Sequence, residues 1–166
     1  MEKRKIICVA FLFAAFSIVA QPAYDNKLKS LYRNTVKTIQ PKEVKALMAK
    51  GEKIVILDTR APEEFNVSHL AGASFLNYDS YSTADLKKIP SNAKVIVYCS
   101  VGYRSERVGE KLLKLGYKDV SNIYGGIFEW KNEGLEVVNQ KSQPTDSVHT
   151  YNKNWSKWLV KGIKVY

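Results

Sequence analysis

The sequence predicts an α/β fold with a central, mostly parallel sheet flanked by helices on both faces. Three observations carry this expectation. Two short runs, Ile54-Val55-Ile56-Leu57 and Lys94-Val95-Ile96-Val97-Tyr98, are rich in β-branched residues without polar alternation, the pattern of strands buried on both faces. Segments with helical stripes lie between the strand-like runs. The connections are short, so consecutive strands return in the same direction across a helix.

The elements follow in order. Thr35-Val36-Lys37-Thr38-Ile39 alternates like a short strand. Pro41 is suited to a helix start, and Val44, Leu47 and Met48 supply an apolar stripe up to Gly51. Ile54 to Leu57 is the first strong strand. Pro62 to Val67 predicts a short helix, Ala73 to Leu76 a weaker strand, and Thr83 to Lys88 one or two helical turns. Lys94 to Tyr98 is the second strong strand. Ser105 to Leu115 places Val108, Leu112 and Leu115 on one helix face and ends at Gly116, a C-terminal stop signal. Asp119 to Ile123 predicts a further strand. After Gly125-Gly126, Ile127 to Glu133 predicts a last helix with Trp130 turned inward.

The domain so defined runs from residue 35 to 138. Residues 21–34 form a polar, basic arm with partial helical character. Asn139 to Ser147 reads as a linker containing Pro144. The whole of 139–166 is a basic, aromatic extension in which Tyr151, Trp155, Trp158 and Tyr166 interleave with Lys153, Lys157, Lys161 and Lys164. It is expected to pack back on the domain, the alternative being a partner-docking segment.

The first 20 residues are expected to be a signal peptide. Met1-Glu2-Lys3-Arg4-Lys5 is a short basic stretch, and Ile6 to Ala20 is apolar and uncharged but shorter than the ~20 residues a spanning helix needs. The protein is therefore expected to be exported, periplasmic or secreted, without stable membrane insertion after cleavage. Cleavage after Ala20 removes Cys8 and leaves Cys99 as the one cysteine, so no internal disulfide forms. The full chain has 166 residues and a net charge of +10; loss of Glu2, Lys3, Arg4 and Lys5 leaves +8. For an exported chain this charge suits small anions rather than nucleic acid. With 45% apolar and 25% charged residues, the composition is that of a folded domain and not of a disordered chain.

Chemistry concentrates at Tyr98-Cys99-Ser100-Val101-Gly102-Tyr103-Arg104-Ser105. A thiol stands at the C-terminal end of a strand, in a loop that feeds a helix. Backbone N–H groups, the helix dipole and a guanidinium all favour negative charge there, so Cys99 is expected to ionise more readily than a free cysteine. Ligands of parallel α/β sheets sit at the carboxyl ends of the strands. Asp58-Thr59-Arg60 follows the other strong strand and falls at the same end.

Three segments in order resemble the rhodanese family of sulfurtransferases. They are Leu57-Asp58-Thr59-Arg60 with Glu63-Glu64-Phe65 and Ser68-His69-Leu70-Ala71-Gly72-Ala73; Cys99 to Ser105; and Asn122-Ile123-Tyr124-Gly125-Gly126-Ile127 with Trp130. The resemblance implies a rhodanese-like domain in which Cys99 attacks the outer sulfur of a small sulfur-bearing anion, thiosulfate or a persulfide or polysulfide. Cys99 becomes a persulfide, and cyanide, a thiol or a protein acceptor then removes the sulfur. Ser100, Val101, Gly102, Tyr103, Arg104 and Ser105 would form the substrate-binding loop. Gly102 would supply a positive φ, Arg104 a cation for the donor or the loop, and Ser105 a helix cap. Asp58 and Arg60 would tie the strand end by an ion pair behind the loop. Glu64 reads as a solvated helix residue, His69 as part of a structural turn, and Tyr103 as pocket mouth or plain surface. No cofactor is implied beyond the covalent intermediate. With two histidines, His69 and His149, no metal site is expected.

Two other functions compete. Cysteine-dependent phosphatases use a similar cradle, but their loop is one residue longer than the four here, Ser100 to Tyr103. A non-catalytic binding module on the same scaffold is the second, and the extension is the feature that would support it.

Overall fold

The structure, a computed structural model, describes residues 22–166. The expected signal segment, Cys8 included, lies outside the described residues. The chain divides into two compact units after Leu31. The described part of the first is helix α1, residues 22–31, in which Ser30 Oγ donates to Lys27 O at 2.7 Å. The arm is thus helical over residues 22–31. Residues 32–34 are not helical and belong to the second unit.

The second unit is built on five parallel strands in the order β1-β5-β4-β2-β3. They are β1 (Lys37–Ile39), β2 (Ile54–Asp58), β3 (Ser74–Phe75), β4 (Lys94–Tyr98) and β5 (Asp119–Ile123). The helices between them are α2 (Pro41–Ala49), α3 (Pro62–Val67), α4 (Thr83–Leu86) and α5 (Tyr103–Lys114), and α6 (Gly126–Asn132) follows β5. Pro at the first position of α2 and of α3 loses no helical hydrogen bond, since the first N–H groups have no acceptor within a helix.

Strand alternation sorts the core into two faces. Val95 and Val97 of β4 join Leu57, Val120, Leu86 of α4, and Val108 and Leu112 of α5 in one cluster. Ile96 and Tyr98, one residue out of phase, take the other face and are fully buried. Val44 of α2 and Ile127, Phe128 and Trp130 of α6 are also buried and lie outside the first cluster. Trp130 is core as expected, its Nε1 donating to Glu136 O at 2.9 Å.

The parallel register decides where the chemistry falls. Asp58 lies opposite Tyr98, so the last residues of β2 and β4 end at one level. Asp58, Cys99 and Gly125 therefore leave neighbouring strands at the same sheet end.

Beyond the sheet the expected linker is ordered structure. β6 (Val137–Val138) pairs antiparallel with β7 (Pro144–Thr145). The turn between them is closed by Asn139 Oδ1, which accepts from Lys141 N and Gln143 N. Such Asx turns are strong local organisers. β8 (Ser147–His149), α7 (Lys153–Ser156) and β9 (Ile163–Val165) complete the extension, with β8 parallel to β9. The extension belongs to the same compact unit as the sheet. Val148, Thr150 and Leu159 are fully buried, and Asn132 of α6 bonds Trp158 O, Val160 N and Lys161 N.

Candidate active site

The end of β4 turns abruptly at Cys99, which is buried. The N–H of Gly102 donates to Cys99 Sγ at 3.2 Å. Gly102 caps α5 with φ 92°, a left-handed conformation natural to glycine, as expected. A side chain there would also collide with the Tyr32 hydroxyl. Beyond Gly102, the first amides of α5 (Tyr103, Arg104 and Ser105) have no helical acceptor and lie at the positive end of the helix dipole. The Gly102 N–H is thus aimed at the sulfur, and the unpaired amides of the first turn of α5 follow it directly in the chain.

Several remote groups hold this loop. Tyr32 Oη donates to Val101 O at 2.8 Å and accepts from Gly125 N at 2.9 Å, joining the loop to the start of α6. Burial raises the Tyr32 hydroxyl above its ordinary pKa, so it remains a donor. The first amides of α6 complete the clamp: Ile127 N and Phe128 N donate to Cys99 O and Ser100 O at 2.9 and 3.2 Å. This approach needs a glycine at 126, where a Cβ would strike Cys99 O. Asn122 Nδ2 donates to Gly102 O at 2.9 Å and its Oδ1 accepts from Ser105 Oγ at 2.7 Å. Ser105 is therefore not the helix cap; it sits in the first turn and orients Asn122, while Gly102 holds the cap position.

Arg104 and Glu64 form the charged wall of the site. Arg104 Nη1 and Nη2 donate to the two Glu64 oxygens at 2.7 and 2.8 Å, and Nη2 also reaches Ser100 Oγ at 3.0 Å. Ser100 Oγ in turn donates to Glu64 Oε1 at 2.6 Å. Glu64 is fully buried, which corrects its reading as a solvated helix residue. Glu64 faces the loop instead of water, and it also caps α3 by accepting from Ala61 N at 3.0 Å. Burial alone would raise the Glu64 carboxyl; the Arg104 hydrogen bonds and charge, helped by Arg60, outweigh it and hold the group below its ordinary pKa. For Arg104, burial opposes the charge, while Glu64 and Cys99 favour it and prevail.

Behind this wall Asp58 and Arg60 make the expected ion pair, both without exposure. Arg60 Nε and Nη2 bond the Asp58 carboxylate at 2.9 and 2.6 Å, and Nη2 also donates to Ser68 O at 2.5 Å. Tyr98 Oη donates to Asp58 Oδ2 at 2.6 Å and accepts from Leu70 N at 3.0 Å. The pair joins the ends of β2 and β4 to the turn after α3. His69 lies in that turn, stacked on Phe65 with ring centroids 4.0 Å apart and bridged to Val138. Tyr103 is exposed beneath the Arg107 guanidinium. His149 is not near a metal-binding cluster among the described residues; its Nδ1 accepts from Tyr151 N.

The structure thus brings Cys99, Ser100, Val101, Gly102, Arg104 and Ser105 together around one thiol, with Asp58 and Arg60 behind them. Sequence reasoning missed the loop contacts of Tyr32, Glu64 and Asn122. Asn122 falls inside a quoted motif, whereas Tyr32 contacts residues 69 and 93 positions away and carries no local signal.

Comparison with known proteins places this arrangement. Residues 40–133 match the Rhodanese-like domain family. The probable adenylyltransferase/sulfurtransferase MoeZ of Mycobacterium tuberculosis is 29% identical over 97 residues, 58% of this chain and 25% of that protein. The tRNA uridine(34) hydroxylase of Bacillus cereus is 35% identical over 98 residues, 56% of this chain and 30% of that protein. The chain thus spans less than a third of the length of these relatives. A Rhodanese-like domain protein from Staphylococcus aureus superposes with a TM-score of 0.54 at 30% identity, covering 60% of this chain and 96% of that one. The match covers β2 to β5, the loops that follow β2 and β4, and the helix that carries Trp130, and on these grounds the chain belongs to the rhodanese-like domain family.

Proposed function

We propose that this protein is a sulfurtransferase that carries a sulfane sulfur on Cys99. The observation that carries this reading is the Gly102 amide on Cys99 Sγ at the N-terminus of α5, inside a loop of fixed shape. A donor already aimed at the sulfur stabilises negative charge there without reorganisation. The Cys99 thiolate attacks the outer sulfur of the donor. With thiosulfate, the new Cys99 S–S bond forms as the donor S–S bond breaks, and the electron pair leaves with sulfite. The persulfide then gives its outer sulfur to cyanide, a thiol or a protein thiol, and the Cys99 thiolate returns. Covalent transfer of this kind needs neither metal nor organic cofactor.

The short loop and the burial of Cys99 favour attack on a terminal sulfur over attack on a phosphorus surrounded by oxygens. We take the site to act outside the cytoplasm, in keeping with the basic and apolar N-terminal stretch. A steady-state assay with thiosulfate or inorganic polysulfide as donor and cyanide as acceptor tests the reading. Parallel lines in double-reciprocal plots and no thiocyanate from Cys99→Ser are expected. A Cys99→Ser protein as active as the wild type contradicts it, and a wild type that makes no thiocyanate leaves a binding role for the scaffold.

A further inference from the structure

Residues 147–166 lie beyond the 40–133 stretch shared with the family, yet they reach the loop that holds Cys99. The Tyr151 ring centroid lies 5.6 Å from Arg104 Cζ, within range of a cation–π contact. Tyr151 has φ 64°, a left-handed conformation that bulky residues rarely adopt. The extension holds it there. Tyr151 N donates to His149 Nδ1 at 3.1 Å, and the preceding Thr150 is fully buried, with its N and Oγ1 on Val165 O at 2.8 and 3.2 Å. Tyr151 itself remains 58% exposed, at the surface beside Arg104. Strain maintained by surrounding structure at the edge of a site is a reason to look for function.

Charge near the loop is cancelled. The Arg104 Nη groups go to Glu64, and its guanidinium also faces the Tyr151 ring. Arg60 is matched by Asp58, and Arg107 by Glu106 and Glu110. Thiosulfate carries two negative charges and presents a sulfonate that needs a cation. The persulfide group of an organic persulfide carries at most one, on the terminal sulfur that faces the Gly102 amide, and a neutral carbon-bearing side has an aromatic ring to rest on.

We propose that Tyr151 is a specificity-determining residue: together with Glu64 it withdraws Arg104 from the incoming donor, so the site selects singly charged organic persulfides over dianionic thiosulfate. This rests on the sulfurtransferase reading. In the favoured half-reaction Cys99 Sγ bonds the outer sulfur of R–S–S⁻, and the R–S bond to that sulfur breaks. The electron pair leaves on the thiolate R–S⁻, which takes a proton from water, with no net oxidation or reduction.

The test is single-turnover loading of the whole protein, quenched and followed by intact mass, with thiosulfate and with the persulfide of mercaptoethanol. The wild type is expected to load faster from the persulfide. Tyr151→Ala should shift the ratio of the two rates toward thiosulfate by threefold or more, while Tyr151→Phe keeps the wild-type ratio. Glu64→Gln, which removes one counter-charge, should shift it the same way by roughly tenfold. Tyr151 is exposed, so its variants keep the test decisive should Glu64→Gln fail to fold. A wild type that loads faster from thiosulfate, or a Tyr151→Ala that changes both rates equally, overturns the selectivity alone. No loading from either donor overturns the sulfurtransferase reading and the selectivity with it.

Discussion

Replacing Gly102 by alanine tests how rigidly the loop is held. Gly102 has φ 92°, and a left-handed conformation costs an L-residue roughly 1–2 kcal/mol. The added Cβ also meets the Tyr32 hydroxyl, which must move. Tyr32 then loses Val101 O and Gly125 N, and each buried group left unpaired costs about 1–3 kcal/mol. The total is about 3–8 kcal/mol. Gly116 supplies the control. Its φ is 98°, but a Cβ there meets nothing within 4 Å, so Gly116→Ala should cost only about 1–2 kcal/mol. Urea unfolding of both variants measures the difference, and sulfur loading reports the site. Displacing the loop by about 1 Å should slow loading by about a hundredfold in Gly102→Ala and leave Gly116→Ala near wild type. Equal stability losses in the two variants would refute the role assigned to Tyr32.

Two further predictions concern the buried charges. Arg60→Met leaves the Asp58 carboxylate buried with only Tyr98 Oη and the backbone N of residue 60, and should cost about 3–5 kcal/mol in urea unfolding; adding Asp58→Asn, which removes the uncompensated charge, should recover part of that loss. The Glu64 carboxyl has its pKa lowered on folding, so its contribution is fully present above the unfolded value of about 4.3 and is lost as pH falls through the lower folded value. The stability difference between wild type and Glu64→Gln should therefore be largest near neutrality and shrink below about pH 4; a difference independent of pH would contradict the ionised Glu64–Arg104 pair.

Much of the sheet was legible because its strands are buried on both faces. Ile54 to Leu57 and Lys94 to Tyr98 gave strong signals, and β2 and β4 occupy these positions. Pro62 and Gly116 likewise marked helix ends through their own backbone restrictions. The thiol loop was legible because its features lie within eight consecutive residues. Glu64 was not: a carboxylate in a helix first turn looks the same whether that turn faces water or an arginine 40 residues away. Tyr32 was hidden for the same reason. The linker reading failed on Asn139, whose side chain closes the β6–β7 turn, and polar composition alone does not separate a tight hairpin from a loose connection. The extension was expected to pack back on the domain; that its Tyr151 meets Arg104 depends on a left-handed backbone that composition does not signal.

The central claim is that Cys99 takes up one sulfur atom, and intact mass under non-reducing conditions tests it most directly. After incubation with a sulfane-sulfur donor, the wild type should gain the mass of one sulfur and lose it on addition of cyanide. Cys99→Ser should gain nothing. A wild type that stays unmodified with thiosulfate, polysulfide and organic persulfide alike would contradict the account.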